Sequence, residues 1–204
     1  MPTPDATLKE LLAPEQPDAA KIAEFLDGLD HAGRMTAITA LQGTTEQAKL
    51  YDINGSAPAV TLAELVPVDM PPLREVIWHG KNSLPVFTHF QKRFCRPKGD
   101  RGQQELWGYN HQTMAWVTGP GYFVCHKDGA VPAAIDYRVV PPEAPPGWPE
   151  VKRNDQGLSR FVYANMVDYL RRVSAHVLIG RAHRGGKELP NYFLLCREPG
   201  SAAA

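Results

Sequence analysis

The stretch GYNHQTMAWVTGPGYFVCHKDG, residues 108–129, alternates polar and apolar side chains on both sides of a Gly-Pro-Gly sequence. Alternation with a period of two residues is typical of a β-strand, and here it begins at Leu106. Pro120 followed by Gly121 is the pair that a type II turn prefers at its centre. The stretch therefore predicts a β-hairpin whose first strand covers residues 106–117.

The two faces of this predicted strand are both mixed in polarity. An apolar wall with a few polar groups is typical of a small-molecule pocket. A change of register by one residue exchanges the two faces, so the alternation does not decide which face points inward. One face carries Leu106, Gly108, Asn110, Gln112, Met114 and Trp116, and the other carries Trp107, Tyr109, His111, Thr113, Ala115 and Val117.

The segment 84–95, which precedes the hairpin, is compatible with two structures. A helix capped by Ser83 gathers Phe87, Phe90 and Phe94 on one side, whereas a strand places Phe87 opposite the other two. The aromatic spacing and the cap favour the helix, and the strand stays open as the alternative.

The segment 159–173 predicts one long helix. Ser159 is suited to its N-cap, and the apolar residues that follow have helical spacing: Val162, Met166, Tyr169, Leu170 and Val173. The proline-rich loop 141–157 precedes this helix. A loop of that length inside a compact domain is often a lid or a binding loop, so we expect it to border the mouth of the pocket.

The N-terminal part predicts a layer of short helices. Apolar residues recur at helical spacing after Asp18 and again after His31, and Thr61 with Glu64 has the spacing of a capping box. We expect this layer to occupy residues 1–66 and to need packing against the remainder of the chain in order to persist.

Together these elements predict an α+β fold. The expected core, residues 67–198, is a mainly antiparallel, curved sheet of about six strands with one long helix packed on it. The tail 199–204 is expected to be disordered.

Composition limits the classes of function. The 204 residues contain 22 basic and 22 acidic side chains, and this balance argues against a nucleic-acid partner. An export signal and a long apolar run are not evident, which predicts a soluble, cytoplasmic protein without a membrane partner. Three widely spaced cysteines and the lack of any ligand motif argue against a metal site.

The leading functional hypothesis is a binding protein that encloses a small, partly apolar molecule in an aromatic-lined pocket. The sequence names neither the ligand nor a cofactor. The candidate ligand-binding residues are Tyr109, Asn110, Gln112, Trp116, Tyr122, Tyr137 and Tyr192, with Arg93 and Arg181 as cations for an acidic group on the ligand.

Two alternatives belong to other classes. The first is a cofactor-independent acid–base enzyme (an isomerase, lyase or hydrolase) in which His111 or His176 is the base and Asp136 or Asp168 orients it. The second is a protein–protein interaction module that uses the N-terminal helices, and a homodimer is one form this takes.

Overall fold

The computed structural model describes residues 2–84, 88–112 and 119–200. Within them, eight β-strands form a closed barrel. Neighbouring strands are antiparallel, and their order around the barrel is their order along the chain. The last strand closes the barrel by pairing with the first, with Leu195 opposite Gly80. The strands are β1 (Val76–Asn82), β2 (His89–Cys95), β3 (Glu105–His111), β4 (Tyr122–Asp128), β5 (Val131–Asp136), β6 (Met166–Arg172), β7 (Val177–Arg184) and β8 (Lys187–Arg197).

The helices of the described residues are short, and most of them precede the barrel. The first four lie against the outer wall of the barrel at β7 and β8, where Leu26 and Ile38 are buried in one apolar cluster with Ile179 and Leu194. The helices are α1 (Pro4–Leu12), α2 (Ala19–Gly28), α3 (His31–Thr39), α4 (Gly43–Ile53), α5 (Leu62–Leu65), α6 (Arg101–Gln104) and α7 (Ser159–Tyr163).

The predicted open sheet of about six strands with one long helix is wrong, because the chain forms a closed barrel of eight strands. Segment 84–95 contains strand β2, although a helix was favoured, and most of segment 159–173 is strand β6. In both segments apolar residues lie four apart, a spacing that satisfies the helical period and the strand period alike. Asn165, at φ +58°, separates α7 from β6.

Alternation along the strands separates the barrel interior from its outer wall. On β3, Leu106 belongs to the apolar cluster that fills the barrel, whereas Trp107 packs on the outer wall with Val124 and Trp148. The even-numbered face of β3 therefore points inward, and this settles the choice that the sequence left open.

Three pairs of glycine and phenylalanine face each other across neighbouring strands inside the barrel. Gly80 lies opposite Phe90, Gly108 opposite Phe123, and Gly180 opposite Phe193. A Cβ at each glycine would lie within 2.1–2.5 Å of the facing ring, closer than atoms in contact approach. Glycine at these positions lets each ring lie directly on the backbone of the neighbouring strand.

One end of the barrel, which we call the plugged end, is filled by the chain that connects the N-terminal helices to β1. Val60, Leu65, Val66 and Met70 join the interior apolar cluster there, and Trp78 donates a hydrogen bond from its indole to the carbonyl oxygen of Leu65 at 3.1 Å. The predicted capping box of α5, between Thr61 and Glu64, is confirmed.

None of the helices in the described residues has the length and apolar character that spanning a membrane requires. The predicted disordered tail 199–204 falls mostly outside the described residues, which end at Gly200.

Candidate functional site

Four polar side chains from four parts of the barrel meet in its interior. The ammonium of Lys92 on β2 donates to the carboxylate oxygen Oδ2 of Asp168 on β6 at 3.1 Å and to Oδ1 of Asn110 on β3 at 3.2 Å. It also donates to the hydroxyl of Tyr137, which follows β5, and that hydroxyl donates to Asp168 at 3.3 Å. We call these four residues, each at most 5 % exposed, the polar cluster.

Aromatic rings surround the ammonium of this cluster. The Nζ atom of Lys92 lies 4.8 Å from the ring centroid of Phe193, 5.2 Å from that of Phe123 and 5.6 Å from that of Phe90. These are the three phenylalanines that lie on glycines of the neighbouring strands. The glycine–phenylalanine pairs thus build the wall around Lys92, and ring faces at this distance attract a cation.

Burial shifts the ionisation of the cluster. It lowers the pKa of Lys92, against the opposing effects of the Asp168 carboxylate and of Cys125 on β4. Burial likewise raises the pKa of Asp168, against the effect of Lys92. Both shifts bring the neutral pair closer in free energy to the ion pair. The phenol of Tyr137 stays protonated, since burial and the Asp168 charge raise its pKa well above the usual value.

The second oxygen of the Asp168 carboxylate is not satisfied. Its Oδ1 atom is buried and has no hydrogen-bond partner among the described residues. A buried acceptor without a donor costs free energy of about 1–3 kcal/mol. Such a group commonly marks the place of a bound water or of a ligand donor.

A cavity of about 550 Å³ connects the polar cluster to the end of the barrel opposite the plug, which we call the cavity end. This volume lies within the range of small-molecule sites, about 300–1,000 Å³. Its walls are mostly apolar, and they include Phe90, Phe193, Met166, Ala182 and Leu189. Asn82, Gln112 and Arg184 add polar groups nearer the opening.

Helix α7 lies over part of the cavity end. The ring of Tyr163 stacks on that of Tyr137, with centroids 5.3 Å apart and planes 17° apart. Arg184 on β7, which also lines the cavity, donates to the carbonyl oxygens of Phe161 and Val162 in this helix. Phe161 is nevertheless 63 % exposed, so an apolar side chain stands beside the opening.

The Gly-Pro-Gly sequence, residues 119–121, lies directly against α7. Gly119 and Gly121 have positive φ angles of 75° and 56°. A Cβ at Gly121 would lie 2.4 Å from the Tyr163 ring, and one at Gly119 would lie 2.5 Å from the Ser159 hydroxyl. The two glycines therefore let α7 approach the backbone closely. The antiparallel pairing predicted for the hairpin is confirmed between β3 and β4, and residues 113–118 of its first strand lie outside the described residues.

Comparisons with protein-family models, with curated proteins and with solved structures found no match. Function is therefore inferred from the site itself.

Five of the residues that the sequence analysis selected line the cavity: Asn110, Gln112, Tyr137, Asp168 and Tyr192. Asp168, which was predicted on a helix, lies on strand β6. Tyr192 lies at the rim of the cavity, with its ring centroid 5.4 Å from that of Tyr51 on α4.

Other selected residues lie on the outer wall, away from the cavity. Tyr109 and Tyr122 pack together, with ring centroids 5.5 Å apart, and Trp148 of the proline-rich loop covers them. Arg93 pairs with Glu75 beside them, and Arg181 pairs with Glu188 elsewhere on the wall. Loop 141–157, which we expected at the mouth of the pocket, contributes none of the cavity-lining residues in the described chain.

The candidate histidine bases do not meet the candidate aspartates in the described part of the chain. His111 is exposed on the outer wall beside the Tyr109 ring. His176 lies in the turn between β6 and β7 and contacts Arg197. Asp136 pairs instead with Arg138 and His126 on the outer wall. Trp116 lies outside the described residues.

Sequence reasoning missed Lys92, the central residue of the cluster. Its segment QKRFCRPKGDR, residues 91–101, contains five cations, a composition that favours solvated surface charge. The missed signal is that Lys92 falls between Phe90 and Phe94 on one face of a strand. In a helix, Lys92 would not share a face with Phe90 and Phe94, so the helical interpretation gave no sign that it is buried with them.

Proposed function

We propose that this barrel binds a small, partly apolar molecule in the cavity between the polar cluster and α7. The apolar part of the ligand packs against the aromatic and aliphatic walls, and its polar end reaches Lys92, Asn110, Tyr137 and Asp168. The second oxygen of Asp168 is available to a donor of the ligand or to a bridging water.

One observation carries this proposal: a buried, hydrogen-bonded polar cluster lies at the inner end of an apolar cavity. Burial of an ion pair gives little net stability, and apolar residues of similar volume often do as well. A cluster of this kind beside a cavity therefore supports a role in recognition. An apolar cavity with a few convergent polar groups is the usual form of a small-molecule site.

The direct test is binding of N-phenyl-1-naphthylamine, a neutral dye whose fluorescence rises in apolar surroundings. Ala182 on β7 lines the cavity and is 6 % exposed, so Ala182→Phe fills space that the dye needs. We expect the wild type to bind the dye with saturation and Ala182→Phe to bind it at least about tenfold more weakly.

Ala130→Phe is the matched control, because Ala130 is exposed in the turn between β4 and β5 at the plugged end. It should bind the dye as the wild type does. Equal binding by both variants would place the dye elsewhere and would remove the support for this cavity. Native mass spectrometry of the purified protein gives an independent test: a mass that is released on denaturation identifies the class of ligand.

A further inference from the structure

We propose that Lys92 binds the ligand covalently and reversibly, as an imine with the carbonyl carbon of an apolar aldehyde or ketone. This inference rests on the proposed function, since the same cavity must first admit the molecule. It names the chemical class of the ligand and the atom that captures it.

The position of Lys92 fits this chemistry. Its Nζ atom lies at the inner end of a cavity with aromatic walls, where a linear apolar ligand presents its terminal group. The hydrogen-bonding groups that the amine meets are those of Asn110, Tyr137 and Asp168. An amine becomes a nucleophile towards carbonyl carbon when it is desolvated and beside a group that takes its proton.

The charge balance favours a neutral carbonyl over a carboxylate ligand. The ammonium of Lys92 already has its counter-ion in Asp168, at 3.1 Å. A carboxylate placed beside Lys92 would be repelled by that of Asp168, and burial of two negative charges near one positive charge is costly. An aldehyde or ketone brings no charge and accepts a hydrogen bond through its oxygen.

The reaction balances with the groups of the cluster. The ammonium of Lys92 passes one proton to Asp168, and the free amine attacks the carbonyl carbon. A proton then moves from the nitrogen to the former carbonyl oxygen, which yields a carbinolamine. Asp168 returns its proton to that hydroxyl as the C–O bond breaks. One water leaves, the C=N bond carries one proton, and the Asp168 carboxylate remains as counter-ion without any change of oxidation state.

Ionisation of the cluster supports this order of steps. Burial lowers the pKa of Lys92 and raises that of Asp168, so the proton transfer between them costs less than it does in water. Tyr137 and Cys125, which also face the amine, both have a pKa raised by burial. Both groups therefore stay protonated at pH 7, and the Asp168 carboxylate gives the main effect that opposes burial at Lys92.

The test uses the full chain with trans-cinnamaldehyde as the carbonyl probe and sodium cyanoborohydride to trap the imine. Peptide mapping then locates the adduct, whose mass is that of the aldehyde less one water plus two hydrogens. At pH 7 we expect the initial trapping rate at Lys92 to exceed that at the exposed residues Lys152 and Lys187 by at least about tenfold, because the cavity holds the carbonyl carbon of the bound aldehyde beside this amine.

Two variants are the controls. Lys92→Arg keeps a cation but forms no imine, so its trapping at position 92 is lost. Lys81→Arg alters another buried lysine. Lys81 lies on the outer wall, next in the chain to Asn82 of the cavity rim. This variant should leave the Lys92 adduct unchanged. If Lys92→Arg fails to fold, peptide mapping of the wild type still shows whether the adduct forms at Lys92.

Cinnamyl alcohol separates this inference from the proposed function, because it has the same shape and cannot form an imine. If alcohol and aldehyde both displace the naphthylamine dye and no adduct forms at Lys92, imine formation is overturned while binding stands. If the dye, the alcohol and the aldehyde all fail to bind and no adduct forms, both proposals fall. Trapping at Lys92 no faster than at the exposed lysines also overturns the imine.

Discussion

At the scale of single residues, the contact between Lys92 and Asp168 is an ion pair buried in the barrel interior. Both side chains are at most 4 % exposed. Removal of one member of such a pair leaves a buried charge without a partner, whereas replacement of both by apolar side chains is often neutral or stabilising. The two residues are therefore strongly coupled in stability.

Lys92→Met should lower the free energy of unfolding by about 3–5 kcal/mol, because it leaves the Asp168 carboxylate buried and unpaired. The double variant Lys92→Met with Asp168→Leu should recover most of this loss. Urea denaturation of the wild type, both single variants and the double variant completes the cycle. Additive effects of the two substitutions would show that the pair is not coupled.

Asp136 on the outer wall makes the stability of the folded protein depend on pH. Burial alone would raise the pKa of this carboxyl, but its hydrogen bonds to Arg138 and His126 lower the pKa overall. A carboxyl with a lowered folded-state pKa contributes stability above its unfolded value of 3.8, and this contribution is lost as the pH falls further.

We therefore expect Asp136→Asn to flatten the loss of stability with acidification below pH 3.8. Thermal unfolding as a function of pH measures this slope. Asp155→Asn is the comparison. Asp155 forms an exposed ion pair with Arg153, and solvent screens such a pair. This variant should therefore change the slope less than Asp136→Asn does. An unchanged slope in Asp136→Asn would contradict the assignment.

The sequence selected candidate residues by strand face and chemical type, and their role in ligand binding stays a prediction. Asn110 and Tyr137 were selected as polar groups in apolar surroundings, and they lie in the cavity. Tyr109 and Tyr122 met the same criterion, yet they lie on the outer wall, because an outer wall covered by Trp148 is also apolar. Alternation separates two faces and does not identify the inner one.

At the scale of elements, the glycine–phenylalanine pairs connect the strands to the site. Each pair fixes a ring at the level of Lys92, and each depends on glycine in the neighbouring strand. Pairing of an aromatic ring with a cross-strand glycine is a recognised way to stabilise a strand that glycine weakens.

Gly180→Ala should destabilise the protein by about 1–3 kcal/mol, the usual cost of overpacking, because its Cβ would lie 2.1 Å from the Phe193 ring. It should also weaken binding of the naphthylamine dye, since Phe193 must move into the cavity. Gly28→Ala is the control: Gly28 ends α2 and has nothing within 4 Å of its Cβ position. Unchanged stability in Gly180→Ala would mean that the ring moves without cost.

Helical periodicity correctly predicted α2 and α3, whereas the type of two later elements was predicted wrongly. Asp18 and Asp30 cap α2 and α3 through their side chains, which fits the helical periodicity read from each segment. In β2 and β6, apolar residues four apart agree with the helical period and with the strand period. Pairing with other strands of the barrel determines that both segments are strands. Such pairing is not encoded within either segment.

At the scale of the whole molecule, the helical layer and the barrel share one apolar boundary. Leu8, Ile22 and Leu26 are fully buried there with Leu194 of β8. Separation of the two parts would expose these side chains to water, and each buried side chain of this size contributes about 1.5–3 kcal/mol.

We therefore expect one cooperative unfolding transition, observed equally by circular dichroism and by tryptophan fluorescence. Ile38→Ala should lower the free energy of unfolding by about 2–5 kcal/mol, as is usual for a buried apolar side chain. It should also lower the midpoint seen by both methods. Val68→Ala, at a position 75 % exposed, should change neither. Two separate midpoints would show that residues 1–66 fold independently of the barrel.

Barrel closure was beyond prediction from the sequence for a physical reason. It depends on the pairing of β1 with β8, for example Trp78 with Arg197, and residues so far apart in the chain leave no local signal of their contact. The predicted hairpins and antiparallel order describe the wall correctly, but an open sheet and a barrel share both features.

The plugged end also determines how a ligand of the proposed site would exchange. Residues 60–70 pass across that end, so, in the part of the chain that the structure describes, a molecule in the cavity enters and leaves past α7. Two molecules cannot pass each other in such a blind tube. The group nearest Lys92 must enter first and leave last, and a competitor must wait for a vacancy. Replacement of one ligand by another is then limited by dissociation, at a rate that does not rise with the competitor's concentration.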